Sequence, residues 1–258
     1  MERYYGRPPY RLALVHGGPG ANGEMAEPAR ALAAVTGVLE PLQTAATVDG
    51  QVEELKESLR KHAAEPVVLL GHSWGAWLAG LLTARHPELV RKLILVGSGP
   101  FEEKYVKSIE TARMNRLTSE ERDEINRLMP IIDGPDSPER QAAFARFGAL
   151  FGRTDAYAPL PDSPDDAVEL REDLYQAVWP EAAELRRSGR LLREFAAIRG
   201  PVVAIHGDYD PHPIDGVGIP LQAVLPDFRL VVLPHCGHTP WRERDARDAF
   251  LQQVRREL

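Results

Sequence analysis

The chain has 258 residues, of which 43% are hydrophobic and 27% charged, and its formal net charge is -7 at pH 7. This composition is that of an ordinary globular protein with one full-sized core. The negative charge, without any basic block, argues against nucleic acid and anionic membranes as partners. The single cysteine, Cys236, excludes an intrachain disulfide, so we expect a cytoplasmic protein. Composition does not specify an oligomeric state.

In chain order, short apolar runs alternate with segments whose apolar residues recur at helical spacing. The apolar runs predict strands over 11–15, 37–42, 67–70, 92–96, 201–205 and 229–233. Helices are predicted between and after them, over 24–35, 52–63, 74–85 and 241–258. This alternation predicts an α/β fold with a mostly parallel central sheet flanked by helices on both faces.

The segment 101–195 interrupts the alternation. Helix formers dominate it, no strand-like run is convincing, and breaks are predicted at Pro130, Pro135, Pro138, Pro159, Pro161 and Pro164. It holds 20 acidic and 14 basic residues, so most of the net charge lies here. We interpret 101–195 as a helical cap inserted into a core made of 1–100 and 196–258. Its acidic residues form either a solvated face or a rim that favours a cationic substrate group.

The pentapeptide Gly71-His72-Ser73-Trp74-Gly75 joins a predicted strand to a predicted helix. A serine on so sharp a turn is held in a strained conformation, with its hydroxyl at the carboxyl end of the strand. The two glycines let the strand and the helix approach each other. We therefore predict Ser73 as a nucleophile, with a plain helix N-cap as the alternative.

A serine nucleophile needs a base, and the base needs an orienting carboxylate. Among the later residues, His238 is the favoured base, because it precedes the last helix and follows Gly237 in a loop, which is expected to leave it free to swing toward Ser73. His235, closer to the strand end, is the weaker candidate. Asp210 is the favoured carboxylate, ahead of two rivals, Asp208 in a tight turn and Asp215 further along the loop.

A glycine-rich segment, His16-Gly17-Gly18-Pro19-Gly20, follows the first predicted strand. Glycines there allow the backbone to approach a substrate, so its N–H groups are candidate donors to an oxyanion. We expect one donor to be the N–H of Trp74 and the other that of Gly17 or Gly18, with Gly18 favoured. No Gly-Lys-Ser or Gly-Lys-Thr follows, which argues against a phosphate loop.

Histidines also flank the predicted acid. The group His206, Asp208, Asp210 and His212 is a conceivable metal site, but alternate spacing along a turn is a weak ligand signature. We predict no metal and no cofactor.

Taken together, the glycine-rich segment, the turn at Ser73, Asp210 and His238 resemble the α/β-hydrolase superfamily in their order along the chain. The resemblance implies an α/β-hydrolase fold, a Ser-Asp-His triad and two-step acyl transfer to water. The sequence of the glycine-rich segment is most similar to that of the proline iminopeptidase branch. Enzymes of that branch remove an N-terminal proline and hold its amine with carboxylates of the cap. The candidates for that role are Glu169, Glu172, Asp173 and Glu181.

Two departures from that branch affect the predicted substrate. Only 15 residues precede His16, so the N-terminal strand region is predicted to be shortened. The turn reads Gly-His-Ser-Trp-Gly-Ala-Trp, whereas that branch more often has a second glycine before the serine and small residues after it. We expect a small carboxylic ester as substrate, with an aminopeptidase or amidase as the alternative. A non-catalytic binding or receptor module of the same fold ranks below both.

Aromatic residues of the cap and the adjoining helix are the predicted source of specificity. We predict Trp77, Trp179 and Phe147 as substrate-binding residues. The other aromatic candidates are Phe144, Phe151, Tyr157 and Tyr175.

Overall fold

The structure is a computed structural model that describes residues 1–135, 137–161 and 168–258. Seven strands form its main sheet: β1 (Glu2–Tyr5), β2 (Tyr10–Val15), β4 (Gly37–Pro41), β5 (Val67–His72), β6 (Val90–Val96), β8 (Val202–Gly207) and β9 (Phe228–Leu233). Two short strands, β3 (Ala21–Asn22) and β7 (Glu169–Leu170), pair separately. The helices are α1 (Ala26–Leu32), α2 (Val48–His62), α3 (Trp74–Arg85), α4 (Val106–Arg116), α5 (Ser119–Ile132), α6 (Pro138–Thr154), α7 (Glu172–Arg187), α8 (Arg190–Phe195), α9 (Asp215–Val224) and α10 (Arg247–Glu257).

The strand order in the main sheet is β1-β4-β2-β5-β6-β8-β9. Strand β1 runs antiparallel to β4, and all other neighbours are parallel. The predicted mostly parallel sheet is therefore confirmed. Strand β1, which precedes β2, has four residues.

Both faces of the sheet are covered, which explains why its central strands read as continuous apolar runs. Every residue of β5 is buried. Leu69 joins the apolar cluster on one face, with residues of α2, α3 and α8, whereas Leu70 joins the cluster on the other face, with residues of α1 and α10. The carboxyl ends of these parallel strands consequently lie along one exposed edge, where ligands of α/β sheets bind.

The predicted helical insert is confirmed, and α5 and α6 form its hairpin. Leu117, Ile125 and Leu150 make a small separate core between them. Pro138 is the first residue of α6, where a missing N–H is harmless, and Ser137 accepts a hydrogen bond from the Arg140 N–H at 3.1 Å.

The structure differs from the expected pattern of breaks and loops in several places. Pro130 lies inside α5, which ends two residues later, and Pro164 is outside the described residues. Asp215 begins a helix rather than lying in a loop. The last helix begins at Arg247 instead of Trp241, because Pro240–Arg242 forms a separate turn of 3-10 helix.

Strand β7, which the sequence did not predict, pairs with β3 and so attaches the insert to the segment that follows the glycine-rich loop. No helix in the described ranges has both the length and the apolar character of a transmembrane segment.

Candidate active site

Ser73 occupies the turn between β5 and α3 with φ 52° and ψ -116°. Positive φ is costly for a residue with a side chain, so the surrounding structure must hold it in place. The Ser73 N–H donates to the carbonyl oxygen of Val96 at 2.9 Å, which ties the turn to β6. The hydroxyl makes no capping hydrogen bond to α3, so the N-cap alternative is not supported.

The glycines on either side of Ser73 are required by packing. A Cβ atom on Gly71 would overlap the carbonyl of Gly75, and one on Gly75 would overlap the carbonyls of Val15 and His16. Backbone atoms cannot move away as a flexible side chain would. The small residues predicted at both positions therefore have a direct steric reason.

We expect Gly71→Ala to lower the free energy of unfolding by about 3 kcal/mol, because overpacking against backbone forces the turn apart. Urea unfolding followed by circular dichroism measures the change. Gly148→Ala is the matched control: Gly148 lies exposed in α6, a Cβ there has no neighbour within 4 Å, and the gain in helix propensity is about 1 kcal/mol. Equal stability of the Gly71 variant and the wild type would contradict the steric argument.

Asp210 is a fully buried carboxylate that binds two imidazoles. Its Oδ2 accepts from His238 Nδ1 at 2.9 Å, and its Oδ1 accepts from the backbone N–H and the Nδ1 of His212 at 2.9 and 2.8 Å. The rival carboxylates lie elsewhere. Asp208 accepts from the Cys236 N–H at 3.2 Å, and Asp215 is exposed at the start of α9.

These contacts shift the pKa values of the cluster in different directions. Burial alone raises the pKa of Asp210, but the neighbouring imidazoles outweigh it and hold the value well below the ordinary one. Burial lowers the pKa of His238, but the charge and hydrogen bond of Asp210 outweigh it and raise the value. Burial dominates for His212 and lowers its pKa to about 4. At neutral pH His212 is therefore a neutral imidazole that donates through Nδ1.

His238 is held by its backbone as well as by Asp210. Its N–H donates to the carbonyl oxygen of Asp155 at 2.8 Å, and its own carbonyl oxygen accepts from His72 Nε2 at 3.0 Å. The ring of His238 lies 4.7 Å from the ring of His72, the residue before Ser73. The structure thus brings His238 to the turn at Ser73, whereas His235 points to Tyr157 and stacks on it at 5.1 Å.

The loop before His238 is not free to swing, contrary to the expectation drawn from Gly237. Glu243, which is buried, accepts from the Gly237 N–H at 2.9 Å and from the N–H groups of Tyr157 and Ala158 at 2.8 and 2.7 Å. A Cβ on Gly237 would overlap the carbonyl of Asp155. Gly237 is needed for close packing against the insert, and Glu243 fixes the loop.

The two candidate glycine donors have different surroundings. The Gly17 N–H donates to Glu24 Oε2 at 2.6 Å, so it is occupied, and this corrects the prediction that it is available to an oxyanion. Gly18 has φ +34°, and a Cβ added there would be in ordinary contact with the Ala21 side chain at 3.9 Å. The Trp74 N–H is at the first position of α3, where a helix supplies no acceptor. Gly18 and Trp74 remain the candidate pair.

Of the predicted substrate-binding aromatics, Trp77 requires correction. It is 1% exposed, packs against Phe101 in the main core and donates through Nε1 to the Gly99 carbonyl at 3.1 Å, which leaves no surface for a ligand. Trp179 stacks on it with ring centres 6.0 Å apart, and Tyr175 stacks on Trp179 at 5.8 Å. We call these three residues the aromatic ladder; Tyr175 is its exposed end.

Phe147 lies in a different environment. Its ring packs edge-on against Phe151 at 4.4 Å, beside the small core between α5 and α6. This contact gives Phe147 a packing role in the insert, and no observed contact links it to the ladder or to His238.

Three of the four candidate amine-binding carboxylates are already engaged. Glu172 pairs with Arg140 at 3.1 Å, Asp173 pairs with Arg171 at 2.6 Å, and Glu181 accepts from the Val48 N–H at 2.8 Å. Glu169 is exposed on β7. The arrangement offers little for the capture of a substrate ammonium group.

Asp210, His212 and His238 also have the residue types of a metal site. Donor atoms of Asp210, His212 and His238 lie within 4.8 Å of one another. Both oxygens of Asp210 already accept imidazole N–H groups, so the set fits a hydrogen-bonded network. Asp208, from the weak metal pattern, faces Cys236 instead.

The sequence did not reveal the roles of four side chains at this site. Glu24 and Glu243 brace the loops, His72 links two of them, and His212 shares Asp210 with His238. Only His212 gave a signal, as a histidine beside the predicted acid. The others act through contacts between segments distant in sequence.

Comparison with known proteins identifies the family of this chain. Residues 10–253 match the family described as Alpha/beta hydrolase family. The pimeloyl-(acyl-carrier protein) methyl ester esterase of Nitrosomonas europaea is 27% identical over 182 residues, which cover 66% of this chain and 64% of that protein. The match therefore spans slightly less than two thirds of that relative.

Two solved structures share the fold. VinJ superposes with a TM-score of 0.72 at 19% identity, over 99% of this chain and 93% of VinJ. The proline iminopeptidase of Mycobacterium smegmatis superposes with a TM-score of 0.64 at 19% identity, over 99% of this chain and 94% of that one. Such likeness establishes architecture and leaves activity open. With the family match over nearly its whole length, the chain belongs to the alpha/beta hydrolase family.

Proposed function

We propose that this protein is a serine hydrolase that cleaves a small carboxylic ester through an acyl-enzyme. Ser73 is the nucleophile, His238 the general base and Asp210 the carboxylate that orients it. The observation that carries the proposal is the 2.9 Å contact between Asp210 Oδ2 and His238 Nδ1, on a loop bonded to the turn that holds Ser73. This is the arrangement an activated serine needs.

In the first half-reaction, His238 takes the proton of the Ser73 hydroxyl as the oxygen attacks the ester carbonyl. Asp210 stabilises the imidazolium that forms and keeps Nδ1 protonated, so Nε2 is the basic nitrogen. The N–H groups of Trp74 and Gly18 bind the developing oxyanion. His238 then protonates the departing alcohol, and the acyl group remains on Ser73.

In the second half-reaction, water takes the place of the alcohol. His238 removes a proton from the water, which attacks the acyl carbonyl, and the tetrahedral intermediate collapses to release the acid and restore the Ser73 hydroxyl. His238 returns a proton to Ser73 as the acid leaves, so every proton moves between Ser73, His238, substrate and water, and the cycle needs no cofactor.

We further propose that 101–195 acts as the cap that shapes the acyl or alcohol pocket, with 1–100 and 196–258 as the core. Tyr175 and Trp179, on α7, offer flat apolar surface, and α7 begins beside the glycine-rich loop through the Arg171 N–H to Gly20 bond at 2.9 Å. Similarity to a methyl ester esterase supports an ester as the substrate. The engaged carboxylates of the cap favour an ester over a peptide with a free amine.

Initial rates on p-nitrophenyl butyrate and proline p-nitroanilide, measured side by side, test this function. We expect turnover of the ester and at least a hundredfold lower kcat/KM for the anilide, because none of the described carboxylates of the cap is buried where it could hold the amine. Comparable turnover of the anilide would establish the aminopeptidase alternative. No turnover of either, together with no labelling by a fluorophosphonate, would point to a binding module.

A further inference from the structure

A continuous chain of hydrogen bonds links the glycine-rich loop to the loop of the proposed base. The Gly17 N–H donates to Glu24 Oε2 at 2.6 Å, and the same oxygen lies 2.9 Å from His72 Nδ1. On the other side of the ring, His72 Nε2 lies 3.0 Å from the carbonyl oxygen of His238. Since His72 precedes Ser73, the chain connects all three segments that carry the proposed chemistry.

The partners of His72 constrain its protonation. A backbone carbonyl oxygen only accepts hydrogen bonds, so Nε2 must carry a proton to bond to His238. An ionised carboxylate also only accepts, so Nδ1 must carry a proton to bond to Glu24. A neutral imidazole has one N–H and satisfies one of these contacts. Only the doubly protonated ring satisfies both.

The alternative is a neutral pair in which Glu24 keeps the proton and donates it to Nδ1. The 2.6 Å bond from the Gly17 N–H to the same oxygen argues against it, since such a short N–H contact is typical of an ionised acceptor. Burial alone raises the pKa of Glu24, but His72 and the Gly17 N–H outweigh it and lower the value to about 2. The ring itself is 1% exposed, so a charge on it must be stabilised by Glu24 and the His238 carbonyl oxygen instead of by water.

Two other buried histidines, His16 and His206, have a different pattern of partners. His16 Nδ1 faces the Gly17 carbonyl at 2.9 Å, but its Nε2 accepts from the Gln43 N–H, so a neutral ring satisfies both contacts. His206 donates through Nε2 to the His212 carbonyl at 2.8 Å, and its Nδ1 has no partner among the described residues. Neither ring needs a second proton.

We propose that His72 and Glu24 form a lasting imidazolium–carboxylate pair that positions the oxyanion loop and the His238 loop around Ser73. Neither residue touches the reacting atoms in this scheme, so both are positioning residues, and their role in turnover rests on the function proposed above. Besides His72, the titratable groups that interact electrostatically with Glu24 are His16, Glu40 and His238.

Nitrogen-15 NMR of the histidine rings tests the charge state without reference to activity. We expect both ring nitrogens of His72, assigned by loss of the signal in His72→Asn, to show protonated shifts at pH 7.5 in the wild-type chain. In Glu24→Gln, one nitrogen is expected to show the shift of an unprotonated ring. An unprotonated nitrogen on His72 in the wild type would overturn the ion pair, whether or not the chain hydrolyses esters.

The positioning role is tested by turnover of the same variants. Glu24→Gln is expected to lower kcat for the ester on the order of 10- to 100-fold with KM within about twofold, because loosening three loops misplaces groups without removing substrate contacts. Glu27→Gln, three residues along and paired with Arg247, is the matched control and should keep wild-type kcat. Unchanged kcat in Glu24→Gln, with the charged ring confirmed in the wild type, would overturn the positioning role alone.

Discussion

Replacing Ser73 by alanine is expected to lower kcat for p-nitrophenyl butyrate on the order of a million-fold, if the three residues act as a unit. Alanine removes the hydroxyl and leaves the base without a proton to take. The backbone of the strained turn, with φ 52°, is expected to stay as it is, because alanine keeps the Cβ atom. Residual hydrolysis would come from binding and the oxyanion donors alone.

Initial rates and fluorophosphonate labelling together measure the loss of Ser73. Ser98→Ala is the control, because Ser98 follows the next strand of the sheet and its buried hydroxyl donates to the Gly99 carbonyl at 3.0 Å. We expect that variant to keep its labelling and most of its turnover. A Ser73→Ala enzyme with more than a few per cent of normal turnover would remove Ser73 from the mechanism.

Asp210→Asn carries the second largest expected effect, a fall in kcat of about ten-thousand-fold. An amide can donate as well as accept, so it no longer fixes the Nδ1–H form of His238 or stabilises the imidazolium. His212 also donates to Asp210, at 2.8 Å, and is expected to hold the substituted side chain in place. The loss should thus reflect chemistry rather than collapse of the loop.

The pH dependence of kcat/KM supplies a second readout for Asp210. His238 acts as a base when unprotonated, so the rate rises with pH through its pKa, which Asp210 raises above the ordinary 6.5. In Asp210→Asn the burial that lowers the pKa remains and the opposing charge is gone. We expect the acidic limb to move to lower pH. Asp215→Asn, at an exposed helix start, should leave both the rate and the limb unchanged.

Local patterns predicted most of the architecture. The strands at 11–15, 67–70 and 201–205 are buried on both faces and read as apolar runs, so each appears in the structure close to its predicted position. The turn at Ser73 could also be predicted from the sequence. Its glycines are required because Gly71 lies against the Gly75 backbone and Gly75 lies against the end of the adjacent strand β2. The roles assigned to Ser73, Asp210 and His238 stay predictions until the variants are measured.

What the sequence did not reveal depends on contacts between distant segments. Glu24 is an ordinary acidic residue in sequence, and only the fold brings it to His72, 48 positions later. Trp77 looked available to a substrate, yet Phe101 and Trp179 enclose it. Strand β7 has only two residues, too few for a periodic pattern, and exists because β3 is beside it.

The short pairing of β7 with β3 has a mechanical consequence. Gly20 and Arg171 are joined by a backbone hydrogen bond, and a Cβ on Gly20 would lie 2.7 Å from the Arg171 carbonyl oxygen. The start of α7 is thus fastened to the loop that carries the proposed oxyanion donors. Because this backbone bond joins the two segments, a displacement of the start of α7 is expected to displace the glycine-rich loop as well.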